Sequence, residues 1–150
     1  MSETASASNS APAQRPEFRN LNLFSDITGY RMPLAGWVSI LHRVSGALLF
    51  VLLPFIIWLL DVSISSEISF GRFTAAYTAG VGFVPAWFIK LVTLALIWAY
   101  LHHFCAGLRH LWMDATHCVT KSFGRSSAAA VLVISLLLTV ILGAKLFGAY

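Results

Sequence analysis

Three long apolar stretches leave this chain few folds to choose from: Val38 to Leu60, Ala86 to about Leu101 with a polar continuation to Asp114, and Ala128 to Leu146. Crossing about 30 Å of hydrocarbon takes roughly 20 helical residues at 1.5 Å each. Each stretch reaches or approaches that length. The predicted fold is therefore all-α and integral to a membrane, with three transmembrane helices. Composition agrees, since 58% of the 150 residues are hydrophobic and only 11% charged, a balance that suits a bundle dissolved in lipid.

The first stretch starts too far from Met1, and behind too polar a leader, to be the apolar region of a secretory signal peptide, so it is expected to stay in the mature protein. Residues 1–14, opening with "MSETASASNSAP", are small and polar and are expected to form a disordered tail. Residues 15–37 then form a cytoplasmic segment leading into helix one, and residues 38–147 the three-helix domain. Charge in the short loops sets the orientation. Arg15, Arg19 and Arg31 precede the first helix, and Arg109, Lys121 and Arg125 cluster after the second, whereas the first loop holds only Arg72 and the tail only Lys145. The N-terminus and second loop are thus expected in the cytoplasm and the C-terminus in the periplasm, across a bacterial inner membrane. The net charge of +4 reports this topology, because a nucleic-acid binder would concentrate it on a soluble basic patch.

Several chemistries lack their residues. Cys105 and Cys118 fit neither C-x-x-C nor C-x-x-C-H, so a zinc knuckle, a redox pair and covalent haem attachment have no spacing to support them. Gly-rich phosphate loops, H-E-x-x-H and G-x-S-x-G are missing too. Covalent catalysis by the chain alone is not expected.

What remains is a convergence. Helices one and two run antiparallel, so Ser39, His42 and Arg43 share a leaflet with His102, His103, Arg109 and His110. The helical rise puts His103 about 5 Å from the midpoint of helix two, Arg43 about 7 Å and Ser39 about 13 Å from that of helix one. His103, Gly107 and His110 form one stripe at i, i+4 and i+7, and the glycine keeps the backbone flat enough for a porphyrin to lie close. His102 sits about 100° away and meets that stripe only at its edge.

Two readings compete for each part of this cluster. A transmembrane histidine can bond a hydroxyl or carbonyl on a neighbouring helix, or neutral imidazole can ligate the iron of a non-covalent b-type haem. The adjacent glycine, the facing His42 and Arg43, and the lack of a second deep histidine favour one axial ligand here and another from a partner chain. Ser39 and Arg43, one turn apart, can offer a hydroxyl and a guanidinium to a quinone carbonyl. Otherwise Arg43 snorkels to headgroup phosphate and Ser39 bonds its own backbone. Trp37, Trp58, Trp87 and Trp112 read as an interfacial belt, Lys90 as an anchor, and His117 as solvated.

With these residues identified, "SILHRVSG" at Ser39 to Gly46 and "HFCAGLRHLWMD" at His103 to Asp114 resemble the two signature segments of the large cytochrome b membrane-anchor subunit of succinate dehydrogenase. The patterns S-x-x-H-R-x-[ST]-G and H-x-x-x-G-x-R-H-x-x-x-D are met at every fixed position. That resemblance implies a non-catalytic electron-transfer and anchor subunit, half of a heterodimeric haem-binding bundle. Its implied partners are a second three-helix anchor, an iron-sulfur subunit and a flavoprotein subunit. It also implies His103 as axial ligand to haem b and Ser39 with Arg43 as the ubiquinone pair, with His42 and Arg43 beside the haem propionates and Gly107 near the ring. One departure is that Arg15 and Pro16 precede Glu17 and lie farther from Ser39 than the family pattern expects. The alternatives are the anchor of a quinol-oxidising fumarate reductase and, from other classes, a di-haem cytochrome b or a small haem-free transporter or assembly factor. The di-haem reading would need histidines in the outer halves of the helices, where there are none.

Overall fold

The computed structural model describes Gly29 and residues 31–149. The expectations for residues 1–14, and for most of residues 15–37 with Arg15 and Pro16, lie outside the described residues. From Met32 onward the chain forms one compact unit. Its helices are α1 (Leu34–Val51), α2 (Leu53–Ile64), α3 (Glu67–Thr78), α4 (Ala86–Thr116) and α5 (Lys121–Leu146). Among them α1, α4 and α5 are long and apolar enough to cross a membrane.

The first apolar stretch is a broken helix rather than a continuous one. Pro54 stands in the opening turn of α2, where it has no N–H to give and its ring would collide with the carbonyl four residues back. Leu52 takes up the bend at φ −89° and ψ 2°. The ladder is bent without being cut, because the Leu52 N–H reaches the Leu48 carbonyl at 3.0 Å and the Ile56 N–H reaches that of Leu52 at 3.0 Å. At the other end, α1 begins at Leu34, four residues before the apolar run itself.

The segment between the first and second spans is also helical, where the sequence suggests only a loop. Ser66 and Ser69 form a reciprocal capping box, the Ser69 N–H donating to Ser66 Oγ at 3.1 Å and the Ser66 N–H to Ser69 Oγ at 2.9 Å. Glu67 in the first turn complements the helix dipole. Along α3 Phe70 stacks on Phe73 with centroids 6.0 Å apart, and Phe73 meets Tyr77 edge-on at 5.2 Å. The Tyr77 hydroxyl meets Thr93 Oγ1 at 3.0 Å and so fastens α3 to α4.

Small residues let the three spans approach. Val38, Ala106, Ala128 and Val131 form a buried cluster where α1, α4 and α5 meet. Ser135 and Thr139 are buried on α5 with hydroxyls donated to their own helix, to Leu132 O at 3.3 Å and Ser135 O at 2.7 Å. Most large apolar side chains, such as Phe50, Ile57, Leu111 and Leu136, face outward. In water that surface would be untenable; in a bilayer it faces lipid or another chain.

Candidate functional site

His103 projects from the middle of α4 toward α1, and its ring is held from three sides. The His103 Nδ1–H donates to the His42 backbone carbonyl at 3.1 Å. Because a carbonyl can only accept, the proton sits on Nδ1 and the Nε2 lone pair is left free. Ser45 Oγ donates to the same carbonyl at 2.9 Å and lies 3.4 Å from Nδ1. The imidazole of His42 stacks over that of His103, with centroids 4.2 Å apart and planes 15° from parallel.

Gly46 completes the cradle. A Cβ at that position would come within 2.8 Å of His103 Cε1 and 3.1 Å of Nδ1, closer than real Cβ atoms approach. The Cε1–Nδ1 edge of the ring therefore lies against the bare backbone of α1. Gly107 lies beneath His42, whose Nε2 is 3.6 Å from where its Cβ would be. His110 closes the stripe, its ring 5.2 Å from that of His42 and tilted by 48°.

His42 and Gly46 bracket the His103 ring, so Arg43, between them in sequence, has its backbone level with that ring. Arg43 is exposed and Ser39 partly buried, and neither side chain has a partner among the described residues. His102, by contrast, is fully buried on the inner side of α4. Its ring stacks on Trp98 at 5.5 Å, and its Nδ1 lies 3.4 Å from Ser135 Oγ on α5. The neighbouring histidines thus face different ways, His102 into the bundle and His103 toward His42 on α1.

Three histidines stand together at positions 42, 103 and 110, yet among the described residues no group of three side chains is arranged to chelate a metal ion. A stacked pair with one carbonyl-fixed ring is built to present a single nitrogen. Such a carbonyl partner is the usual means of setting a ligating histidine's tautomer and orientation.

The sequence pattern of the succinate dehydrogenase/fumarate reductase transmembrane subunit family matches residues 13–142. The chain belongs to that family. Its relatives include the "succinate dehydrogenase cytochrome b556 subunit" of Coxiella burnetii, 34% identical over 83% of this chain and 94% of that protein. The protein of the same description from Paracoccus denitrificans is 30% identical over 75% of this chain and 81% of its own length. A "succinate dehydrogenase cytochrome b560 subunit" from Reclinomonas americana is 33% identical over 62% of this chain and 63% of that protein. Family and relatives together make this a cytochrome b membrane subunit of succinate dehydrogenase.

Within this membrane subunit, Ser45 and Gly46 are the contributors that reading the residues did not assign a role. Both are fixed positions of the first signature segment, which was the available signal. The remaining residues of interest serve the fold: His117 takes the left-handed C-cap of α4 at φ 52°, and Lys90 Nζ lies 5.7 Å from the centroid of the Phe147 ring. All four tryptophans of the expected belt, Trp37, Trp58, Trp87 and Trp112, are exposed. Cys105 and Cys118 are free thiols.

Proposed function

We propose that the chain supplies one axial ligand to a haem b shared with a second membrane-anchor subunit, and one wall of the site where ubiquinone is reduced. In this reading it is a non-catalytic subunit, and succinate is oxidised in a flavoprotein partner joined to it through an iron-sulfur partner. The relatives' cytochrome names support a haem, and the His103 cradle fits one. The observation that carries the assignment is the Nδ1–H of His103 donated to the His42 carbonyl, which leaves Nε2 available for iron. When bound, the haem supplies a one-electron carrier within the membrane.

The chain's own groups do the positioning. His42 stacks on the His103 ring, Arg43 follows it on α1 with an exposed side chain, and the two suit the carboxylates at a haem edge, while Gly107 leaves room for the His42 ring. Ser39 and Arg43 share a face one turn apart, so a hydroxyl and a guanidinium can donate to one quinone carbonyl. The guanidinium also stabilises negative charge developing there. The orientation that suits this places the Ser39 end at the cytoplasmic face of a bacterial inner membrane, where the soluble partners would dock.

The test is purification of the tagged chain in mild detergent, with identification of co-purifying subunits and a reduced-minus-oxidised absorbance spectrum. Low-spin haem lost from an assembled His103→Leu complex supports the reading. An unaltered bis-histidine spectrum in that variant would assign the iron to another residue.

A further inference from the structure

A second charged cluster lies where α4 passes into α5, about 120° around α4 from His103. Arg109 is only 8% exposed, unusual burial for a permanently charged side chain. Its Nε donates to Ser127 Oγ at 2.9 Å and its Nη2 to the Gly124 carbonyl at 3.3 Å. Both acceptors are neutral, so they satisfy donors without cancelling the charge. A cavity of about 690 Å³ opens beside it, lined by Arg109, Lys121 and Arg125 with Leu34, Met113 and Val119 among its apolar walls. Among the described residues no carboxylate lines it.

Lys121 and Arg125 stand one turn apart at the start of α5, where the helix N-terminus is itself positive. Three cations beside a helix N-terminus form a field that an anion would relieve. A further cavity of about 900 Å³ shares Leu34, Lys121 and Arg125 and continues along α5 past Ser126 to Ala129, inside the apolar stretch. The two openings thus join a basic pocket to a groove leading into hydrocarbon.

We propose that this pocket binds the phosphate headgroup of an anionic phospholipid through Arg109, Lys121 and Arg125, with an acyl chain in the groove past Ser126 and Ala129. The proposal needs the chain to span a membrane and is independent of the haem and quinone assignments. The groove is what selects a lipid over free phosphate, whose chemistry at the three cations is the same.

The intact complex, delipidated in detergent, should be titrated with phosphatidylglycerol, phosphatidylcholine or inorganic phosphate. Bound lipid is read by native mass spectrometry and stability by the melting midpoint. Phosphatidylglycerol should bind and raise the midpoint, and phosphatidylcholine should do neither. Lys121→Gln with Arg125→Gln, both at exposed positions, should weaken phosphatidylglycerol binding roughly 30-fold. Equal retention by wild type and the double variant would overturn the site. The same stabilisation by inorganic phosphate alone would make it a free-anion site and overturn the lipid assignment. Loss of a soluble subunit from the double variant, with lipid binding intact, would make it a protein-docking surface instead.

Discussion

A backbone oxygen aims His103, so replacing the side chain at position 42 should not release it. His42→Leu keeps the carbonyl and removes only the stacked ring, and the low-spin haem spectrum should persist, against its loss in His103→Leu. His102→Leu should also leave the spectrum in place and cost less than about 1.5 kcal/mol, since His102 Nε2 has no hydrogen bond and Ser135 keeps its bond to Leu132. The two glycines separate in the same way. Gly46→Ala forces a held ring to move and should shift the haem spectrum at a cost of about 1–3 kcal/mol, whereas Gly107→Ala makes an ordinary contact and should be tolerated. For the quinone, Ser39→Ala should cost about 0.5–1.5 kcal/mol of affinity and Arg43→Leu about 1.5–3 kcal/mol. Quinone-linked turnover should fall in both while dye-linked succinate oxidation in the same membranes holds. Arg43→Lys keeps the charge without the planar fork, so it should restore insertion better than turnover. That His103 meets the His42 turn of α1 was legible because helical period and antiparallel spans are enough to bring the two together. The carbonyl that fixes the tautomer was not, because it belongs to a contact between residues 61 positions apart that only packing decides.

Helix existence was read from hydropathy, and helix shape was not. Average apolarity over the first stretch ignores the one residue that matters for shape, Pro54, and so predicts a straight rod where there is a bend at Leu52. α3 escapes the same measure because its order comes from a serine capping box and an aromatic ladder, neither of which raises mean hydropathy. One hydroxyl pair fastens it to α4. Tyr77→Phe should therefore leave the spans intact, cost about 0.5–1.5 kcal/mol, and speed amide exchange in α3 selectively. Uniform exchange across α3 and α4 in that variant would mean that packing without the hydroxyl pair holds the helix. α5 likewise starts seven residues before its apolar run, on a Thr120 side chain that accepts the Phe123 N–H at 3.3 Å. Capping chemistry of this kind lies outside any hydropathy window.

Three crossings would put the ends of the chain on opposite sides, and the orientation proposed above has the N-terminus facing the cytoplasm. Reporter fusions at Ala11 and at Tyr150 should be active in opposite compartments, the first cytoplasmic. Both in one compartment would remove a span and separate Arg43 from His103. The buried cluster joining the spans is made of small side chains, while the bulky ones face out. The bulky outer face of such a chain is left for lipid or a partner to cover. Newly made copies that find no partner would then be the ones most readily recognised by membrane proteases. Cellular abundance would follow the scarcest member of the assembly rather than the rate at which this chain is synthesised.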